Sequence, residues 1–225
     1  GSGMPVRIPV IEMVEIGAGG GSIARVDGLQ RILVGPDSAG AQPGPACYGR
    51  GGREATVTDA DLSIGKIDPE RFAGGKIGID ARQAEAVLRH GVGDRLGGMS
   101  AEQAAVGVSE IVDENMANAA RVHAIERGVA IGERTLVAFG GAAPLHASRI
   151  AEKLGISRII VPPDAGVGSA VGFLAAPAAY ELVRSRHMLL SAFDADAANG
   201  IIDALVGDAG AHCRAAAGER RIQVR

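Results

Sequence analysis

Thr135-Leu136-Val137-Ala138-Phe139-Gly140-Gly141-Ala142-Ala143-Pro144-Leu145-His146 is the stretch on which the fold turns. A short apolar run ends in two glycines, and a helical pattern over 144–154 follows at once. Paired glycines at a strand-to-helix junction let the backbone approach a ligand that any Cβ would push away. The free N–H groups of the next helix then face whatever sits there, commonly a phosphate. Gly140, Gly141 and Ala142 are therefore candidate nucleotide contacts. The competing reading is a tight βα turn and nothing more.

Downstream, 158–161 reads as a second strand before Pro162-Pro163. Strand, helix and strand at this spacing make a βαβ unit, hence a parallel pair with a right-handed crossover. Upstream, residues 8–34 read as strands. Val10-Ile11 with 13–16 forms one candidate, and 22–26 and 31–34 form two more, joined through Asp27-Gly28, a hairpin signal. Between the first two lies Gly17-Ala18-Gly19-Gly20-Gly21, ahead of Ser22. Successive N–H groups in such a loop can cradle an anion, so Gly19, Gly20, Gly21 and Ser22 are candidate phosphate or substrate contacts; a hairpin or bulge is the alternative.

Residues 35–54 are dense in Gly and Pro, which excludes a helix and suggests a functional or covering loop. Thr58 can cap a short helix carrying Asp59, Asp61 and Leu62. Asp59, next to the Gly/Pro segment, is the candidate catalytic carboxylate, for water or a metal; a capping role is the alternative. Asp80 caps a helix over 81–90. Ser100 and Gln103 form a capping box for a longer one, which runs to about 127 and stops at Gly128. Its spaced positions are Val108, Ile111, Val112, Asn115, Ala119 and Val122. Residues 166–176 suggest a small-residue helix, Asp194 caps a last helix to about 217, and 219–225 returns toward a strand pattern.

The 225 residues allow one large domain or two small ones, and no linker or repeat divides them. The organisation expected is 1–79 strands and Gly-rich loop, 80–128 a helical excursion, 129–186 a nucleotide-side βαβ unit, and 187–225 a C-terminal helix. A net charge of −3 without a basic block argues against nucleic acid. No long apolar run or leader pattern points to a membrane or to export, and the two cysteines, Cys47 and Cys213, lack metal-type spacing. A cytoplasmic location is the expectation. His146, Glu114, Asn115, His123 and Arg127 are weaker site candidates; Cys47 lacks a visible partner base and reads as structural.

Six runs in order resemble the hydantoinase A / 5-oxoprolinase family. They are Ile16-Gly17-Ala18-Gly19-Gly20-Gly21-Ser22-Ile23-Ala24, Gly35-Pro36-Asp37-Ser38-Ala39-Gly40, Pro43-Gly44-Pro45-Ala46-Cys47-Tyr48-Gly49, Thr58-Asp59-Ala60-Asp61, Glu114-Asn115-Met116-Ala117 and Ala138-Phe139-Gly140-Gly141. The resemblance thins after about residue 186. That family includes N-methylhydantoinases, caprolactamase-like enzymes and the ATP-handling subunits of acetone and acetophenone carboxylases. It implies an α/β fold of the ribonuclease-H-like, actin and sugar-kinase type, of which this chain would be one half. It also implies ATP with magnesium as cofactors, and a glycine pair at the adenosine.

The Asp-x-Gly-Gly-Thr phosphate loops of that fold do not occur here and are expected upstream of residue 1. The chain then reads as an internal piece of a larger ATP-binding subunit, inactive as an ATPase by itself. Many relatives read Gly-Gly-Ala-Gly-Pro where this chain has Ala143. The parent activity implied is ATP-dependent hydrolysis of a cyclic amide such as hydantoin, oxoproline or a lactam. The alternatives are the ATP-handling subunit of an acetone/acetophenone-type carboxylase, a non-catalytic nucleotide-binding or assembly module, and a plain structural fragment. Expected partners are a hydantoinase B-like subunit, a small cyclic amide or ketone, and further copies of the chain in a homo-oligomer.

Overall fold

The structure is a computed structural model and describes residues 13–176 and 180–212. It is mixed α/β, with two small sheets and several helices among the described residues. The described chain divides into two compact units between Ser169 and Ala170.

In the first unit, β1 (Ser22–Val26) and β2 (Ile32–Ser38) form the expected antiparallel hairpin. Its turn is built by the Asp27 side chain, whose Oδ1 accepts the N–H of Leu29 and of Arg31, both at 2.9 Å. The left-handed residue of that turn is Gln30, not Gly28. β2 also runs on through Pro36 to Ser38, so the loop begins later than the Gly/Pro content suggests. Residues 13–16, expected as a strand, are irregular, and Val10-Ile11 lies outside the described residues.

Helix α1 (Val57–Ser63) starts two residues earlier than expected. Thr56, not Thr58, is its cap, and Thr56 and Asp59 form a reciprocal capping box. Thr58 is used otherwise: its N–H and its hydroxyl both donate to the Gly20 carbonyl at 2.8 Å, tying the glycine loop to the helix. Helix α2 (Ala81–Leu88) is capped by Asp80 and continues as a π-type turn over Arg89–Gly93. Helix α3 (Ala101–Glu126) carries the Ser100/Gln103 capping box and stops at Gly128, which has φ +63°.

The main core is built from Val57 and Ala60 of α1, Leu88 of α2, Val92 of the π-type turn after it, Ala104, Ala105, Val108 and Val112 of α3, and Ala24 and Val34 of the hairpin. Almost no aromatic side chain enters it, so helices and hairpin pack through Ala and Val. Each fully buried Val contributes about 1.5–3 kcal/mol over its exposed state. The stripe expected along α3 is only partly the buried one: Val108 and Val112 are buried, whereas Asn115 and Val122 are exposed. The helix presents a second buried face, through Ser109, Asp113 and Ala117, to a different neighbour.

That neighbour is α4 (Ala143–Leu154), the helix of the βαβ unit. Strands β3 (Thr135–Val137) and β4 (Arg158–Ile160) pair in parallel, with Leu136 opposite Ile159. Ile150 and Leu154 of α4 pack with Ala117 of α3 and with Leu136. On the flank of this contact Glu110 of α3 receives Arg149 and Lys153 of α4, whose hydrogen bonds hold its carboxyl down at about 2. Helix α5 (Gly168–Ala175) begins at the end of this unit, as the small-residue pattern suggests.

The second unit contains a short 3-10 turn, Leu190–Ala192, and α6 (Ala195–His212). The Asp194 carboxylate accepts the Ala197 N–H at 2.9 Å, the cap expected there. The remainder of that expected helix, Cys213 and residues 219–225 lie outside the described residues.

Candidate functional site

The first unit holds a cavity of about 480 Å³. Its wall brings together segments far apart in sequence: Gly20 and Gly21 from the glycine loop, Tyr48 from the Gly/Pro segment, Thr58 and Asp61 from α1, Lys66 just beyond it, and Gly141, Ala142 and Leu145 at the start of α4. Both glycine motifs of the sequence therefore open onto one space.

The reasons for glycine differ between them. A Cβ on Gly20 would stand 2.7 Å from the Thr58 hydroxyl, so this position is closed by its own neighbours. Gly140 has φ +96°, a conformation that side chains disfavour, and its N–H is spent on the Ala165 carbonyl at 2.7 Å. Gly141 has neither constraint; a Cβ there meets open space. Gly141 and Ala142, not Gly140, line the cavity. In the glycine loop, Gly19 donates its N–H to Ser22 Oγ at 2.9 Å, and that hydroxyl donates in turn to the Gly17 carbonyl. Gly19 and Ser22 brace the loop, while Gly20 and Gly21 face the space.

Asp59 is fully buried, and its carboxylate gathers four donors: the N–H of Ala46 and of Cys47, and both the N–H and hydroxyl of Thr56. It pins the Gly/Pro segment onto α1. Cys47 lies buried beside it, and burial, with the Asp59 charge added, pushes the thiol well above the usual cysteine range.

The cavity-lining carboxylate of α1 is Asp61, two residues further along the helix. Behind it lies a buried polar cluster. His146 is fully buried, with Nδ1 2.6 Å from Asp113 Oδ1 and Nε2 3.1 Å from Asp61 Oδ2. The Nδ1 contact is a hydrogen bond. The Nε2 contact has ion-pair distance but is not a hydrogen bond; among the described residues His146 Nε2 and Asp61 Oδ1 have no hydrogen-bond partner. Burial opposes charge on His146, but the hydrogen bond to Asp113 and the nearness of Asp61 outweigh it and push its pKa up to about 9. Lys66 Nζ closes the cluster: it donates to Ser109 Oγ at 2.8 Å and stands 3.6 Å from Asp61 Oδ1 and 3.8 Å from Asp113 Oδ2.

Lys66, Ser109 and Asp113 escape a reading of the sequence. The one local signal is Ser109 and Asp113, four residues apart beside Val108 and Val112: two short polar side chains next to the apolar stripe of a long helix. Glu114 and Asn115 both point away from this cluster. Glu114 pairs with Lys153 at 2.8 Å, and Asn115 is exposed. His123 is partly buried near the end of α3, and Arg127 follows that helix.

The profile of the Hydantoinase/oxoprolinase family matches residues 2–182. The chain belongs to this family. As a hydantoinase/oxoprolinase-family chain it is 38% identical over 185 residues to the caprolactamase subunit alpha of Pseudomonas jessenii, covering 82% of this chain and 26% of that one. It is 40% identical over 185 residues to the acetophenone carboxylase gamma subunit of Aromatoleum aromaticum, covering 82% and 25%. The crystal structure of the ATP-dependent caprolactamase from Pseudomonas jessenii superposes with a TM-score of 0.70 at 34% identity, over 92% of this chain and 30% of that one. The chain spans about a quarter of the length of these curated relatives. Both are named as subunits.

Among the described residues no group of three or more His, Cys, Asp or Glu side chains could hold a metal ion. Nor is any helix among them long and apolar enough to cross a membrane.

Proposed function

We propose that this chain is part of the ATP-binding subunit of an ATP-dependent cyclic-amide hydrolase, and that its cavity takes the nucleotide. The observation that carries this reading is the convergence of Gly20-Gly21 and Gly141-Ala142 on one cavity of about 480 Å³, in a chain whose relatives include an ATP-dependent caprolactamase. Gly141 and Ala142 hold the nucleoside against the start of α4. Gly20 and Gly21 line the same cavity, and Lys66 and Arg71 add positive charge to its wall. Tyr48, whose ring lies 5.6 Å from that of Phe72, gives the same cavity an aromatic side.

Bound there, ATP supplies a phosphoryl group, which converts the oxygen of a resonance-stabilised amide into a good leaving group. This chain's own part is to bind and orient. Phosphoryl transfer depends on positioning and charge neutralisation, and the cavity wall offers two cations, Lys66 and Arg71, with no metal-holding group among the described residues. We therefore propose that ATP turnover needs the rest of a longer polypeptide together with a hydantoinase B-like partner, and that these 225 residues alone do not hydrolyse ATP. The ribonuclease-H-like architecture and a homo-oligomeric assembly belong to the same reading.

A second reading, the ATP-handling subunit of a ketone carboxylase, draws on the 40% identity to the acetophenone carboxylase subunit. Substrate-dependent ATP consumption with lactams against ketones plus bicarbonate separates the two.

The binding claim is tested by calorimetry with ATP on the chain and on its Gly141→Leu variant. A side chain at Gly141 enters open space, so folding is spared. At least a tenfold loss of ATP affinity with an unchanged melting temperature is expected. Equal affinity in both proteins refutes a nucleotide at this corner.

A further inference from the structure

Two cations line the cavity, Lys66 and Arg71, and they are held differently. The Lys66 ammonium is turned toward the interior. It donates to Ser109 Oγ at 2.8 Å and stands 3.6 Å from Asp61 Oδ1 and 3.8 Å from Asp113 Oδ2, and all three of these partners are buried. Its charge is taken up by the two carboxylates.

Arg71 is held by far less. Its side chain is 88% exposed, and Nε stands 3.7 Å from Asp68 Oδ2, beyond hydrogen-bond distance. Among the described residues no other group engages the guanidinium. Exposed pairs of this kind hold weakly, so the five N–H donors of the guanidinium are left for water or for a ligand. The backbone beneath it is fixed by contrast. Arg71 donates its N–H to the Asp68 carbonyl at 3.2 Å, and Asp68 Oδ1 accepts the Glu70 N–H at 2.9 Å. The next residue, Phe72, sets its ring 5.6 Å from that of Tyr48, and both line the cavity. An anchored turn thus carries a side chain with room to swing onto a ligand. Its planar fork matches two phosphate oxygens at once, whereas an ammonium offers only a point charge.

We propose that Arg71 grips the phosphates of the nucleotide, leaving Asp68 to do so, while Lys66 stays with its buried partners. This rests on the nucleotide reading above and names the residue by which the cavity tells a phosphorylated ligand from a bare nucleoside.

Calorimetry with ATP and with adenosine on the 225-residue chain, on Arg71→Gln and on Arg71→Lys tests this. The position is exposed, so the variants are expected to melt at the parent temperature. In the parent, ATP is expected to bind about tenfold or more tighter than adenosine, the scale of a hydrogen bond to a charged group. Arg71→Gln loses that margin and keeps its adenosine affinity. Arg71→Lys, which has the charge without the fork, recovers part of it. ATP affinities that agree within about twofold between parent and Arg71→Gln, less than one such bond, overturn the proposal and leave the nucleotide reading standing. An equal loss of ATP and adenosine in Arg71→Gln overturns it too, because Arg71 then shapes the cavity and does not read phosphate. A parent that binds neither ATP nor adenosine overturns the proposal together with the nucleotide reading.

Discussion

His146 Nδ1 donates to Asp113 Oδ1 across 2.6 Å, joining the first turn of α4 to the middle of α3. Both side chains are buried, so this bond joins charged groups through the interior between two helices whose other ion pairs, Glu110 and Glu114 with Arg149 and Lys153, lie on the more exposed flank. Removing one partner of a buried pair leaves the other uncompensated and typically costs about 3–5 kcal/mol. Asp113→Ala is expected to lose that much in urea denaturation, and Asp113→Asn, which keeps an acceptor, less. A loss in Asp113→Ala below about 1 kcal/mol, the size of an exposed pair, contradicts the assignment.

The same bond predicts a pH dependence. His146 titrates at about 9 in the folded chain against 6.5 unfolded, facing Asp61, Asp113 and Lys66. The folded state binds the proton more tightly, so the stabilisation is full below 6.5 and is lost as pH rises through about 9. The melting temperature should fall between pH 7 and 10. In Asp113→Asn, which removes the charge that holds the proton, the fall should move to lower pH. An unchanged pH profile in that variant would count against a charged His146.

Asp59 gathers four hydrogen bonds from the Gly/Pro segment and the α1 cap. A typical hydrogen bond to a charged group contributes about 1.5–3 kcal/mol. Asp59→Ala should therefore destabilise by about 3 kcal/mol or more in urea denaturation. Melting at the parent temperature would show that this carboxylate does not anchor the segment.

Cys47 should be inert in the folded chain. It is buried, and burial together with Asp59 keeps it a thiol. Mass spectrometry after iodoacetamide treatment at pH 8 should find Cys47 unmodified in buffer and fully modified in denaturant. Rapid native labelling would place the thiol in an accessible pocket instead.

What the sequence discloses and what it conceals follow from distance along the chain. Ser100 with Gln103, Asp80 and Gly128 act within one turn of backbone, and each does what its local chemistry says. The parallel pairing of β3 and β4 follows from the strand, helix, strand order. Thr56 and Thr58 show the limit: either can cap, and only the glycine loop packed on Thr58 decides between them. The cluster at the cavity lies beyond local reach. Lys66 meets Ser109 across 43 positions and His146 across 80, and no periodicity encodes such partners. Asn115 lies on the single apolar stripe that periodicity suggests along α3, whereas the helix serves two neighbours and buries Asp113 on the second face.

The central claim is that one cavity, shared by the two glycine segments, takes the nucleotide. The most direct measurement is a backbone amide shift map of the chain with a non-hydrolysable ATP analogue. The account predicts the largest shifts at Gly20, Gly21, Gly141 and Ala142, saturating together. Saturable shifts that leave all four unmoved and cluster elsewhere would contradict it.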